Sequence, residues 1–138
     1  MTDITIYTDG GARNNPGPAG AGIVIIDKNG KTLREVSKFL GTQTNNWAEY
    51  EAVVLGFKEA KKLGLKGKKI EFKLDSELVA EQLSGRYQIK EPSLFGQFIA
   101  VHNFRVKDFP RVTFTHIPRE KNKKADSLAN EAMDQGER

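Results

Sequence analysis

The sequence contains no cysteine and only two histidines among its 138 residues. The absence of cysteine excludes disulfide bonds, thiolate zinc sites and cysteine nucleophiles, and it is consistent with a reducing compartment. No apolar run approaches the roughly 18 residues that a membrane-spanning helix needs. No basic segment followed by an apolar stretch resembles a secretory signal. We therefore expect a cytoplasmic protein without a membrane segment.

Charged residues are numerous and unevenly distributed. Lysine and arginine outnumber aspartate and glutamate by 22 to 18, which gives a net charge of +4. Positive charge is concentrated in residues 58–69 and 119–124. A basic domain favours an anionic partner such as nucleic acid, although ordinary surface lysines explain the same composition.

The length suits one domain spanning residues 1–138. Alternating or continuous apolar residues predict five strands, at 3–9, 20–27, 31–40, 69–74 and around Val112 and Phe114. Apolar steps of three and four residues predict helices at 45–63, after Ser76, from Leu94 to Val101 and from Ala125 to Ala132. The last residues, Gln135 to Arg138, are expected to fray. The order predicts an α/β fold, a mixed five-stranded sheet with helices on both faces.

Two aspartates stand at the ends of predicted strands. Asp9 ends the first strand and precedes Gly10 and Gly11, and Asp75 stands at the end of the buried fourth strand. Carboxylates at such positions face the crevice where ligands bind in open sheets. The alternatives are a turn at Asp9 and a helix cap at Asp75, although Ser76 is equally able to cap.

Two further carboxylates lie on predicted helices. Glu49 shares an otherwise apolar helical stripe and is expected to point inward, or else to complete a capping box that begins at Asn46. Asp126 shares a polar helix face with Asn122 and Asn130, for which a solvated surface is the alternative. Together the four carboxylates would form an all-oxygen site, which suits Mg²⁺ or Mn²⁺ better than zinc. Two such ions about 4 Å apart support phosphodiester cleavage.

Four segments of the chain resemble the motifs of type 1 ribonuclease H. They follow one another in order over nearly the whole length: residues 7–11 with 15–22, residues 44–50, residues 74–76, and His116 with residues 122–129. The resemblance implies an endoribonuclease that hydrolyses the RNA strand of RNA–DNA hybrids and leaves 5'-phosphate and 3'-hydroxyl ends. It implies that Asp9, Glu49, Asp75 and Asp126 hold two Mg²⁺ ions, for which Mn²⁺ substitutes, with no small-molecule cofactor.

The resemblance also implies roles for other residues. His116 would move protons or aid product release, whereas a lone histidine at a strand end is by itself more typical of a structural role. The hybrid-binding residues would be Gly10, Gly11, Asn15, Thr44, Asn45 and Asn46, for which turn and cap chemistry is the alternative.

The chain departs from many bacterial members of this family between the third and fourth motifs. Residues 85–91 form a short connection where those members carry an extra basic helix, so this chain resembles the compact members. Substrate binding would then depend on Lys61, Lys62, Arg86, Lys90 and the basic loop before Asp126. The alternatives are an inactive hybrid-binding module and an integrase-like domain acting on DNA. We expect a monomer.

Overall fold

A computed structural model describes residues 1–136 of the chain, which form five strands and four α-helices. The strands are β1 (Ile4–Ala12), β2 (Gly17–Asp27), β3 (Thr32–Gln43), β4 (Ile70–Leu74) and β5 (Val112–His116). The helices are α1 (Asn45–Lys62), α2 (Glu77–Leu83), α3 (Phe95–Lys107) and α4 (Lys123–Gly136). Two short 3-10 turns, Pro92–Leu94 and Arg119–Lys121, precede α3 and α4. No helix within this range is long and apolar enough to cross a membrane.

The strands form one mixed sheet in the order β3-β2-β1-β4-β5, which confirms the predicted architecture. β1 pairs antiparallel with β2, and β2 pairs antiparallel with β3. The pairs β1–β4 and β4–β5 are parallel, as expected for strands that helices connect. β1 is therefore the central strand, with β2 on one side and β4 on the other.

The larger part of the core lies between the sheet and α1. Ile6, Ile25 and Phe72 are fully buried on this face, and the ring of Phe57 from α1 lies 4.6 Å from that of Phe72. Phe57 also stacks on Phe104 of α3 at 5.2 Å, so α3 packs behind α1. Burial of these rings fixes the axis of α1 on the sheet.

The opposite face of the sheet carries α4, which approaches β2 at two glycines. A Cβ atom at Gly22 would lie 2.1 Å from the backbone oxygen of Ala125, and one at Gly20 would lie 2.6 Å from that of Ala129. Such approach is open only to residues without a side chain. These contacts fix the first turn of α4, which contains Asp126, against the centre of the sheet.

Element boundaries differ from the predictions in a few places. β1 continues to Ala12 and β2 begins at Gly17, because these two strands pair as a long hairpin through Ala12 and Ala19. α1 is capped by the hydroxyl of Thr44, which accepts from the backbone of Trp47 at 3.2 Å, so a capping box starting at Asn46 is wrong. α4 includes Gln135 and Gly136 instead of fraying there. The same expectation for residues 137 and 138 falls outside the described range.

The close approach of α4 predicts opposite effects of alanine at two glycines. Gly22→Ala should lower the free energy of unfolding by about 1–3 kcal/mol, because α4 must shift to admit the methyl group. Gly96→Ala is the matched control, since a Cβ there meets nothing within 4 Å and the residue lies in α3. It should stabilise the chain by up to about 1 kcal/mol. Urea unfolding of both variants would measure this, and equal stability of the two would contradict the packing argument.

Candidate active site

The parallel pairing of β1 and β4 stops just before two aspartates. The last paired residues are Thr8 and Leu74, and Asp9 and Asp75 follow them directly. β1 continues beyond this point, paired only with β2. The two carboxylates therefore stand side by side where the strands part, and both line one pocket.

Glu49 and Asp126 line the same pocket from the two layers of helices. Glu49 lies in α1 directly after its first turn, and that turn contacts β1 so closely that a Cβ atom at Gly10 would lie 2.1 Å from the oxygen of Ala48. Asp126 comes from the first turn of α4, and its carboxyl group is hydrogen bonded to that of Asp9. The structure thus brings together all four carboxylates that the sequence singled out.

The crowding of these groups raises two pKa values. Burial, followed by the charges of Asp75, Asp126 and Glu49 and the hydrogen bond to Asp126, raises the pKa of Asp9 to about 8. Burial also raises the pKa of Glu49 to about 6, opposed by a hydrogen bond from Ser76 and by the charge of Arg119. Asp9 therefore retains a proton near neutral pH when no cation shares the pocket.

The donor set fits a divalent cation. Glu49 Oε2 is buried without a hydrogen-bond partner among the described residues, and such an oxygen is costly unless a cation or proton reaches it. All four acidic groups offer oxygen, which Mg²⁺ and Mn²⁺ prefer. Within residues 1–136, however, no three acidic or imidazole groups stand close enough to hold an ion as they are. The carboxylates share the pocket and their charges repel one another.

The sequence did not indicate the role of Asn122. The spacing predicts a polar helix face shared with Asp126 and Asn130, whereas Asn122 precedes α4 and is only 1% exposed. Its side-chain amide donates to the backbone oxygen of Thr8 at 2.9 Å and to Asp75 Oδ2 at 3.3 Å. Only the topology reveals this, because the partners lie 114 and 47 residues away in the chain.

The residues expected to bind the hybrid lie at the start of α1, next to the carboxylate pocket. An adjoining pocket contains Asn15, Thr44, Asn45, Asn46 and Glu49. Asn15 Oδ1 accepts from the backbone nitrogen of Asn45 at 3.0 Å, and Asn45 Oδ1 accepts from that of Ala12 at 2.7 Å. Turn and cap chemistry therefore occupies part of this set, while Asn46 is exposed.

The two glycines of the first motif differ in surroundings. Gly10 is buried beneath α1, so its lack of a side chain serves the packing of the helix. Gly11 is half-buried and lines the carboxylate pocket. Gly10 lines that pocket as well, so both glycines bring backbone to it.

Three of the four basic residues named individually for substrate binding have acidic partners. Lys61 lies 3.2 Å from Asp108, and Lys62 lies 3.1 Å from Glu59, both at the far end of α1. That end is about 18 Å from Glu49 along the helix axis. Arg86 forms two hydrogen bonds with Glu81. Lys90 is exposed on the connection between α2 and α3.

Comparison with known proteins gives the family. The profile of a family described as reverse transcriptase-like matches residues 7–132. A ribonuclease H1 named LC11, crystallised in complex with an RNA/DNA hybrid, is 47% identical, with a TM-score of 0.92 over 96% of this chain and 97% of that one. The ribonuclease H domain of a Mycobacterium tuberculosis protein is 38% identical, with a TM-score of 0.90 over 99% and 96% of the two chains. The chain belongs to the type 1 ribonuclease H family.

Two of the curated relatives are longer than this chain. Ribonuclease HI of Halobacterium salinarum is 38% identical over 95% of this chain, which spans 64% of that protein. A bifunctional protein of Mycobacterium tuberculosis is 40% identical over 95% of this chain. The chain spans only 35% of that relative's length.

Two basic residues, His116 and Arg119, lie near the end of β5 and before α4. His116 ends β5, is exposed, and acts by its charge on Glu81 of α2. It is not among the residues that line the carboxylate pocket, whereas Arg119 is. The charge of Arg119 also lowers the pKa of Glu49. Sequence reasoning included Arg119 only as part of a basic loop, and its place in the pocket follows from the short turn before α4.

The raised pKa values predict how the metal-free chain responds to pH. Because the folded chain binds these protons more tightly than the unfolded chain, the associated stability is present below about pH 4. It is lost as the pH rises through about 6 for Glu49 and about 8 for Asp9. Asp9→Asn should therefore melt like the parent at pH 4 and be more stable at pH 8, by about 1 kcal/mol.

Thermal melts in the presence of a chelator at several pH values would measure this difference. A clear loss of stability in Asp9→Asn at pH 8 would contradict the repulsion argument. It would indicate instead that the Asp9 carboxyl group stabilises the fold, for example through its hydrogen bond to Asp126.

Proposed function

We propose that this chain hydrolyses the RNA strand of RNA–DNA hybrids as an endoribonuclease that uses two divalent ions, Mg²⁺ or in its place Mn²⁺, and leaves 5'-phosphate and 3'-hydroxyl ends. The observation that carries the proposal is the meeting of four carboxylates from β1, α1, α4 and the end of β4 in one pocket. A relative that is 47% identical over nearly the whole chain was crystallised with such a hybrid. Residues 1–138 would make up a single catalytic domain.

Asp9, Glu49, Asp75 and Asp126 would hold the ions. When bound, divalent ions in such a site activate a water molecule and stabilise the leaving oxygen of a phosphodiester. The carboxyl group of Asp9 would give up its proton to hold an ion, because a cation offsets the burial and the neighbouring negative charges that raise its pKa. Arg119 contributes a positive charge that favours a phosphate in an otherwise acidic pocket.

Residues at the start of α1 would recognise the substrate. Asn15, Asn45 and Asn46 surround the pocket next to Glu49, where amide groups donate to and accept from 2'-hydroxyls in the wide minor groove of a hybrid. Gly11 would bring backbone to the same strand, and Thr44 would hold a phosphate of the DNA strand. The chain would need no small-molecule cofactor. A monomer acting in the cytoplasm stays a prediction.

The decisive substrate is a hybrid whose RNA strand carries a short all-deoxy block. With Mg²⁺, cuts should vanish inside the block and persist on either side of it, because the 2'-hydroxyl is what distinguishes RNA from DNA. Asp9→Asn should bind the hybrid and cut it at least 1000-fold more slowly, since the neutral amide is a poor ligand for the ions, an order of magnitude typical of electrostatic groups in active sites.

Duplex DNA and duplex RNA assayed in parallel separate the alternatives. Equal cutting inside and outside the block would favour an integrase-like domain acting on DNA. Tight hybrid binding with no cutting at saturating Mg²⁺ or Mn²⁺ would indicate a binding module.

Arg119 and His116 are the two candidates for the basic residue that acts in the reaction. We expect Arg119→Ala to lower kcat about 100-fold, with partial recovery in Arg119→Lys, because a charge in the pocket acts directly on the phosphate. If His116 transfers protons as the family resemblance implies, His116→Ala will also lower kcat about 100-fold with little change in KM. Steady-state kinetics of the three variants distinguishes the two residues, and a wild-type kcat in Arg119→Ala would exclude it from the mechanism.

A further inference from the structure

Asn122 lies at a junction of all the segments that carry the carboxylates except α1. It closes the 3-10 turn Arg119–Lys121, immediately precedes α4 and is almost fully buried. A buried amide needs partners for its polar atoms, so its contacts show what the junction holds together.

Four hydrogen bonds connect Asn122 to these segments. Its side-chain nitrogen donates to the backbone oxygen of Thr8, the residue before Asp9, and to the carboxylate of Asp75. Its backbone nitrogen donates to the oxygen of Arg119 at 2.9 Å, and its backbone oxygen accepts from the nitrogen of Asp126 at 3.0 Å. One residue is thus bonded to the turn that carries Arg119 and to the three segments that carry Asp9, Asp75 and Asp126.

The direction of the Asn122 amide is fixed by its acceptors. A carbonyl oxygen and a carboxylate oxygen both face its nitrogen, and the reversed amide would place oxygen against oxygen. The side-chain oxygen of Asn122 has no partner among residues 1–136. Its nitrogen is thus directed at both Thr8 and Asp75, which a side chain chosen only for packing would not require.

A neutral hydrogen-bond donor suits the position of Asn122 next to Asp75. Asp75 faces Asp9 and Glu49, whose charges would drive its side chain away from the pocket. A lysine or arginine would restrain it too, but would neutralise the charge that a cation needs. An amide restrains the carboxylate and leaves its charge in place, as outer partners of metal ligands do.

We propose that Asn122 is a positioning residue that holds Asp75, the strand end at Asp9 and the start of α4 in one arrangement, so that their carboxylates receive a divalent cation. This inference rests on the proposed function, since it assigns Asn122 to the same site. It concerns the affinity for the ion, not the chemical step.

The test is a calorimetric titration of Mn²⁺ into the full chain without nucleic acid. Asn122→Leu keeps the branched shape and removes the donor, and it should raise the Kd for Mn²⁺ at least about 10-fold. The Mg²⁺ concentration that gives half-maximal cleavage of a hybrid should rise by the same factor. The KM for the hybrid should stay within about twofold of the parent value, because the substitution affects binding of the ion and not of the hybrid.

Gln97→Leu is the matched control. Gln97 is also a buried amide whose nitrogen donates to one backbone oxygen, that of Trp47, and to one carboxylate, that of Glu51. Its oxygen is likewise without a partner in the described part of the chain. Because this amide joins α1 to α3 and does not line the carboxylate pocket, its loss should lower the melting temperature without changing the Kd for Mn²⁺.

Several results would overturn the inference. A folded Asn122→Leu that binds Mn²⁺ like the parent would do so, and so would equal weakening in Gln97→Leu, which would show a general loss of structure. If Asn122→Leu does not fold, Asn122→Ser replaces it, because its shorter hydroxyl side chain can satisfy only one acceptor and should weaken Mn²⁺ binding in the same direction. Failure of both to fold would make Asn122 a residue of the fold alone.

A different experimental result would refute the proposed function. A parent chain that binds Mn²⁺ but cuts no hybrid would refute the nuclease while leaving the role of Asn122 in ion binding measurable. A parent chain that binds no divalent ion at all would refute both.

Discussion

The repulsion among four carboxylates in one half-buried pocket is the constraint on which the rest of this structure depends. Asp9 and Asp75 stand side by side where β1 and β4 part, and Glu49 and Asp126 approach from opposite layers of helices. Such a cluster is unfavourable by itself, so the packing around it must hold it together. Large buried rings secure α1 and close backbone contacts secure α4, which places the rigid parts of the fold directly behind the acidic groups.

Two glycines show how the packing of the helices determines the geometry of the site. Gly10 admits the first turn of α1, and Gly22 admits the first turn of α4, each at a distance that no side chain would allow. Glu49 directly follows the first of these turns, and Asp126 lies in the second. A change in packing at either glycine would therefore move a carboxylate, and residues with no chemistry of their own take part in setting the affinity for a cation.

Periodicity of apolar residues was sufficient to predict the five strands and their mixed pairing, although β1 continues past Asp9 to Ala12. It was not sufficient for Asn122, whose amide bonds to residues that only the folded sheet brings near. Nor did it place Arg119 in the pocket, because the short turn before α4 determines that position. The start of α1 was predicted at residue 45, but its cap was not, because Thr44 and Asn46 are both residue types that cap helices.

The unequal lengths of β1 and β4 have a consequence for how such a site is maintained. β1 has nine residues and β4 has five, so the central strand loses one hydrogen-bonding neighbour halfway along and keeps the other. The opening is thus a property of the backbone ladder, created before any particular side chain is chosen. Substitutions at the rim can alter what the opening binds, but an insertion that extended β4 alongside β1 would close it with main-chain hydrogen bonds, whatever acidic residues remained.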